Sequence, residues 1–104
     1  MGERDRPLPT LPPKERLILE LLTSDAELYG LQLVDASRGQ LKRGTVYVTL
    51  GRMETKGYIA SRLEDAPPDA GGLPRRVYAP TALGRRVLTV WTQTRRRLAV
   101  EFAR

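Results

Sequence analysis

The sequence predicts a mainly helical α+β domain made of three short helices, a two-stranded hairpin and a long final helix. Two observations support this prediction. Apolar residues recur at helical spacing in four segments. Between the third and the fourth of these helical segments lie two short strand-like segments, separated by a proline- and glycine-rich stretch. With 104 residues, the chain suffices for one domain with a modest core.

The first helix follows a segment, residues 1–13, that contains four prolines. We expect an extended tail here until Pro12 and Pro13 open the helix, because the first helical turn leaves its amide hydrogens unused and proline lacks one. Apolar residues at helical spacing then define a helix from Lys14 that ends in the polar residues 23–25.

The second helix is short. It is expected to begin near Leu28 and to close at residues 37–39, where a glycine suits the residue after a helix end. The third helix is expected to run from Arg43 or Gly44 to Lys56.

The third helix has two contrasting faces. Val46, Leu50 and Met53 fall on one side and form its predicted buried stripe. Tyr47 lies to one side of this stripe. The opposite face combines small side chains with one arginine, namely Gly44, Thr45, Val48, Gly51, Arg52 and Thr55. Each glycine costs the helix roughly 1 kcal/mol relative to alanine, so close approach of another surface would explain them.

A hairpin is predicted after Gly57, which suits the residue following the third helix. Residues 58–64 alternate between apolar and polar side chains and form the first strand. Residues 65–74 consist largely of turn-forming types, and residues 75–79 return as the second strand.

The final helix is predicted from Ala82 to about Ala103, with Thr81 as its N-cap. Three short helices and a hairpin cannot cover a stripe this long, so we expect its remainder to meet a second copy of the chain. Trp91 then belongs either to a plain dimer core or to an effector pocket. The candidates for the dimer interface or an effector pocket are the residues of the stripe, Leu83, Val87, Val90, Trp91, Leu98 and Phe102.

Composition restricts the function. The formal charge of +6 favours a polyanionic partner, either nucleic acid or an anionic membrane surface. Because the chain has no Cys and no His, thiolate chemistry, disulfides and Ser-His-Asp triads are excluded. One alternative for an enzyme remains: the carboxylates of Glu20, Asp25, Glu27 and Asp35 could meet around a cation or a glycosidic bond. Solvated or capping roles are the more ordinary explanation for these residues. We expect no enzyme activity, metal or cofactor.

No apolar run approaches the length of about 18 residues that a bilayer requires, and the first residues lack the apolar centre of a signal peptide. We therefore expect a cytoplasmic protein without a membrane partner. Binding to a membrane surface through the final helix is disfavoured, because dimerisation explains its apolar stripe better.

The order of elements is that of a winged helix-turn-helix, in which the third helix enters the major groove of DNA and the hairpin touches the flanking backbone. On this interpretation residues 14–80 form the DNA-binding domain and residues 81–104 the dimerisation helix.

The residues also resemble the PadR-like transcriptional regulators over about residues 15–90. Three positions differ from the family's usual pattern: Val48 stands where the family usually has proline, Val77 where it has an aromatic residue, and Pro80 where leucine is common. The matching motifs, in order, are 28–33 (LYGLQL), 44–54 (GTVYVTLGRME), 57–59 (GYI), 71–78 (GGLPRRVY) and 81–86 (TALGRR).

The resemblance implies a homodimer that is held by the C-terminal helix and usually represses transcription from a palindromic operator. Short members of the family, with one helix after the wing, sometimes bind small hydrophobic effectors at the dimer interface. The chain is of this short kind.

Eight residues are candidates for contact with double-stranded DNA. Five of them have an alternative: Thr45 caps or orients the helix, Tyr47 is half-buried core, Arg52 pairs with Glu54 or Asp65, and Lys42 and Arg43 form an ordinary solvated pair. For Arg95, Arg96 and Arg97 a solvated face is preferred over contact with DNA. The candidates are Lys42, Arg43, Thr45, Tyr47, Thr49, Arg52, Arg75 and Arg76.

Two other functions remain open. A winged helix used only for protein interaction would also suit a face of small residues, although the basic wing argues against it. RNA binding is disfavoured because the chain lacks the aromatic-rich sheet and the glycine loop that bind unpaired bases.

Overall fold

The structure, a computed structural model, describes residues 10–65 and 73–102, with side chains as far as residue 100. Most of the predicted tail, the wing tip and the side chain of Phe102 lie outside the described residues. The elements in chain order are α1 (Pro13–Asp25), β1 (Leu28–Tyr29), α2 (Gly30–Ala36), α3 (Arg43–Lys56), β2 (Ile59–Glu64), β3 (Arg75–Pro80) and α4 (Ala82–Phe102).

The predicted order of helices and the hairpin is confirmed, and one element was not predicted. Leu28 was expected near the start of the second helix, but it lies in β1, and α2 begins two residues later at Gly30. The reason is tertiary: Leu28 pairs with Tyr78 of β3, in a sheet of order β1-β3-β2. The backbone N–H of Tyr29 donates to Gln32 Oε1 at 2.8 Å, which caps the start of α2.

The turn between α2 and α3 is organised by Ser37, which is buried. Its hydroxyl donates to the carbonyl oxygen of Val34 at 2.7 Å and accepts the N–H of Leu41 at 2.9 Å. Arg38 and Gly39 follow with φ values of 53° and 89°, so the chain reverses through two left-handed residues. This turn places the N-terminus of α3 at the surface.

The core lies between the three short helices, the sheet and the first half of α4. The predicted buried stripe of α3 is confirmed, since Val46, Leu50 and Met53 are at most 1% exposed. Leu11, just before α1, is also buried. Other members of the same apolar cluster are Ile18, Leu19, Leu22, Leu33, Leu41, Tyr58, Ile59, Tyr78 and Val87.

The end of α3 is joined to α1 by a largely buried ion pair. The ammonium group of Lys56 lies 2.9 and 3.1 Å from the two carboxylate oxygens of Glu15, whose side chain is 5% exposed. Lys56 also lies 5.6 Å from the ring centroid of Tyr58, and the hydroxyl of Tyr58 donates to the carbonyl oxygen of Thr10. Leaving either charge alone would be costly, so this pair fixes the position of α3 against α1.

The start of α4 is fixed against the end of α3. Gly57 adopts a left-handed conformation, with φ of 81°, as its predicted place after α3 requires. Thr81 caps α4 as predicted, because its Oγ1 accepts the N–H of Gly84 at 3.0 Å. The same hydroxyl donates to the carbonyl oxygen of Gly57 at 2.6 Å, and the Thr81 N–H donates to the carbonyl oxygen of Tyr58 at 3.0 Å.

Gly84 lets α4 approach this junction. A Cβ built at Gly84 would lie 2.9 Å from the carbonyl carbon of Tyr58 and closer still to its oxygen, where backbone atoms cannot easily move aside. Gly51 in α3 differs, because a Cβ there would meet nothing within 4 Å.

We predict opposite effects of alanine at these two helical glycines. Gly84→Ala should lower the free energy of unfolding by about 2 kcal/mol or more, since α4 must move away from Tyr58. Gly51→Ala should raise it by about 0.5–1 kcal/mol, because alanine favours helix and no contact opposes it. Urea unfolding at one protein concentration, followed by circular dichroism, measures both values. Equal effects would contradict the close approach.

Candidate nucleic-acid interface

The outer face of α3 is exposed in the part of the chain that the structure describes. Because the buried stripe occupies the opposite side, Thr45, Val48 and Arg52 project outward and are exposed. Arg52 forms no ion pair within residues 10–65 and 73–102, so the alternative of a pair with an acidic neighbour is not realised there. A partner is therefore free to lie along this face.

The N-terminus of α3 carries two exposed cations, Lys42 and Arg43. Among the described residues no side chain caps this end of the helix, and no acidic residue lies in its first turn. Positive side chains at the positive end of a helix dipole are unfavourable to the isolated domain and favourable beside an anion. This end of α3 can therefore attract a phosphate group.

Tyr47 lies beside the outer face and is 51% exposed. Its ring covers Gly30 at the start of α2: a Cβ at Gly30 would lie 2.6 Å from a ring atom of Tyr47. The hydroxyl oxygen of Tyr47 lies over Gly30 as well, at 2.7 Å from the same Cβ position. Tyr47 lines an open cleft of about 450 Å³ between α2, α3 and β3. Arg75 and Arg76 line the same cleft.

The two wing arginines are exposed and held in different ways. The guanidinium of Arg75 lies 5.1 Å from the ring centroid of Tyr29. Arg76 donates to Ser61 Oγ at 3.0 Å, and that hydroxyl donates to Glu54 of α3, also at 3.0 Å. Arg76 is thus connected across β2 to α3, and the wing cations are oriented before any partner binds.

A polar network fixes the base of the wing. The hydroxyl of Tyr29 donates to Glu64 Oε1 at 2.8 Å, and Arg62 bridges Glu64 Oε2 and Glu27 at 3.1 and 2.8 Å. The hydrogen bonds from Tyr29 and Arg62 hold the pKa of Glu64 below its ordinary value. The bond to Glu64 raises the pKa of Tyr29, so its hydroxyl stays protonated and donating.

The structure brings three of the eight predicted DNA-contacting residues, Tyr47, Arg75 and Arg76, to one cleft, and it leaves Lys42, Arg43, Thr45 and Arg52 exposed on or beside α3. Unlike the other candidates, Thr49 is half-buried, and its hydroxyl donates to the carbonyl oxygen of Thr45 at 3.4 Å. With Arg52 it lines a groove against the start of α1. Sequence reasoning missed the residues that orient the surface, because Tyr29 and Glu64 are 35 positions apart and no local pattern links them.

The apolar stripe of α4 divides into two parts. Val87 is buried in the core of its own protomer at 4% exposure, and Trp91 is half-buried against that core. Both residues were assigned to the dimer interface or an effector pocket, but Val87 belongs to the core of its own protomer, because α4 packs there on α1 and β3. Leu83, Val90 and Leu98 are exposed at 42%, 36% and 48%.

In the part of the chain that the structure describes, no helix combines the length and apolarity that crossing a membrane requires. Nor do three or more His, Cys, Asp or Glu side chains within residues 10–65 and 73–102 cluster so that they could bind a metal ion.

Residues 18–90 match the model of the transcriptional regulator PadR-like family. The chain belongs to this family. The fold and the arrangement of α3 and the wing are thus those of a DNA-binding transcriptional regulator. No match was found among curated proteins.

Solved structures resemble this PadR-like chain over most of its length. A PadR family transcription regulator from Clostridium difficile R20291 is 28% identical, with 88% of this chain and 98% of the other covered and a TM-score of 0.69. A PadR family transcriptional regulator from Eggerthella lenta is 26% identical, with 86% and 81% covered and a TM-score of 0.66.

The PcaV transcriptional regulator from Streptomyces coelicolor, solved in complex with its natural ligand, is 23% identical. The match covers 90% of this chain and 62% of PcaV, with a TM-score of 0.65. At this identity the likeness concerns the fold.

The low pKa of Glu64 leads to a prediction on stability and pH. Because the folded pKa is below the unfolded one, the contribution of the Glu64 carboxylate is present above the unfolded pKa and is lost as pH falls through the folded pKa. The stability difference between wild type and Glu64→Gln should therefore stay constant from pH 7 to about 5 and shrink below about pH 4. Urea unfolding across this range measures it.

The control is the same comparison in a Tyr29→Phe background, which lacks the largest cause of the pKa shift. The stability difference between Tyr29→Phe and Tyr29→Phe with Glu64→Gln should change less with pH than the difference in the wild-type background. An unchanged pH dependence in that background would show that the Tyr29 hydroxyl does not act on Glu64.

Proposed function

We propose that this PadR-like chain is a transcriptional repressor that binds a palindromic operator in duplex DNA as a homodimer. The observation that carries the proposal is that the two wing arginines line the same cleft as Tyr47 of α3. The outer face of α3 and the cations at its N-terminus are exposed as well.

In this proposal α3 lies in the major groove, where Thr45 and Arg52 reach base edges. Tyr47 donates its hydroxyl to a phosphate, and the wing arginines contact the backbone that flanks the groove. Lys42 and Arg43 approach a phosphate at the start of α3, where the helix dipole adds to their charge. Thr49 lies at the edge of this contact.

The homodimer is proposed to form through α4. Leu83, Val90 and Leu98 fall within about 80° of one another around this helix at 100° per residue. Among the described residues they form an exposed apolar strip, whereas Val87 on the same side of the helix is buried in the core. Phe102 extends the strip in sequence. A two-fold axis at α4 would place two copies of α3 in successive major grooves, and therefore the operator would be palindromic.

A small hydrophobic effector is a further part of the proposal. Trp91 is half-buried beside the exposed strip of α4, so a dimer would place the two indoles near its interface. The complex of PcaV with its natural ligand shows that a regulator of similar fold binds a ligand. The protein would act in the cytoplasm, where the DNA is, and no catalytic role is proposed.

The proposed function predicts a strong dependence of DNA affinity on salt. A dimer that neutralises roughly 6–10 phosphates should lose on the order of 10³–10⁵ in affinity for duplex DNA between about 50 and 200 mM salt, because bound counterions are released. Fluorescence anisotropy with a labelled duplex measures this change. A flat response would contradict DNA binding and favour a winged helix that serves only protein interaction.

The wing and α3 should contribute differently to DNA binding. Removing both wing arginines (R75A with R76A) should weaken binding to operator and random duplex alike, because backbone contacts carry no sequence information. Thr45→Ala should instead narrow the difference between the two duplexes.

A matched control for the lost charge is R96A with R97A, since these exposed arginines lie on α4. It should reduce affinity much less than the wing variant. Anisotropy titrations at one salt concentration compare all three proteins. Normal binding by the wing variant would refute the placement of the wing on DNA.

A further inference from the structure

We propose that Val48 contacts the C5-methyl group of a thymine in the major groove, and so makes the protein prefer thymine at one position of each half-site. This inference rests on the proposed DNA-binding function and adds which base α3 selects.

Val48 lies on the side of α3 that faces away from the core. It follows the buried Val46 by two residues, which corresponds to about 200° around an α-helix. The side chain is 56% exposed, whereas Val46 is 1% exposed. Packing among the described residues of the protomer therefore does not account for an apolar side chain at this position.

The neighbours of Val48 leave it accessible. Thr45 and Arg52 lie about one turn before and after it, and both are exposed. Gly44 and Gly51 flank it on the other side, and a Cβ at either glycine would meet nothing within 4 Å. Another surface can thus approach closely enough to touch the two methyl groups of Val48.

The conformation of Val48 suits a specific contact. A β-branched side chain in a helix is almost confined to one χ1 rotamer, so its methyl groups hold a fixed position on the face. Little side-chain entropy remains to be lost when a partner covers them.

The chemistry of the groove selects the partner. In the major groove guanine, cytosine and adenine present hydrogen-bonding groups, whereas thymine presents an acceptor and its C5-methyl group. Valine has no donor or acceptor, so against a polar edge it would displace water without replacing the lost hydrogen bond. Of the groups that the four bases present in the major groove, the thymine methyl is the one that suits the methyl groups of Val48.

The test begins with the selection of an operator from a random duplex library by the full chain. Each thymine of the selected operator is then replaced by deoxyuridine, which keeps the base pair and lacks only the methyl group. Loss of one contact should reduce wild-type affinity about fourfold, and loss in both half-sites about fifteenfold.

Val48→Ala should bind the unmodified operator about as weakly as wild type binds the doubly substituted one, and should not respond to deoxyuridine at that position. Val100→Ala is the matched control, because Val100 is an exposed valine of α4, at 65%. It should keep the wild-type response.

The outcomes separate the inference from the function on which it rests. A selected operator in which no deoxyuridine position depends on Val48 would overturn the inference and leave DNA binding intact. Failure to enrich any sequence would overturn the proposed function, and the inference with it.

Discussion

The close approach of Gly84 to the carbonyl group of Tyr58 is the constraint on which the arrangement of helices depends. Tyr58 directly follows the left-handed Gly57 that ends α3, and Gly84 lies in the first turn of α4. The hydroxyl of Thr81 joins the two sides, since it donates to Gly57 and accepts from Gly84. The helix with the candidate DNA-contacting face is thereby fixed to the helix with the uncovered apolar strip.

This junction gives the proposed function a geometric basis. If two copies associate through α4, the angle between α4 and α3 at this junction sets the separation of the two α3 helices. The largely buried pair of Lys56 and Glu15 also restrains the end of α3, because Glu15 belongs to α1. A dimer built in this way would present two α3 faces at a defined spacing, as a palindromic site requires.

Much of the fold was predictable from sequence because its signals are local. The stripe of α3, the left-handed Gly57 and the Thr81 cap each follow from residues a few positions apart. β1 was not predictable in this way, since it exists through pairing with β3. The burial of Val87 likewise depends on where α4 packs, which periodicity does not specify.

The candidate site, like the fold, was predictable from sequence only in part. The exposed cations and the outer face of α3 were predicted from side-chain type and helical spacing, whereas the groups that orient them were not. Tyr29 under Arg75, and Ser61 between Arg76 and Glu54, are brought together only by the sheet and its register. Charge and helical phase can therefore be read from the chain, but the preorganisation of the surface cannot.

A hydroxyl-radical footprint of the full chain on its selected operator tests most directly whether two copies of α3 occupy adjacent major grooves. The proposed dimer should protect two equivalent segments whose centres are about one helical turn, 10–10.5 base pairs, or a multiple of it apart. A single protected segment, or two at a spacing that places them on opposite faces of the duplex, would contradict the proposed arrangement.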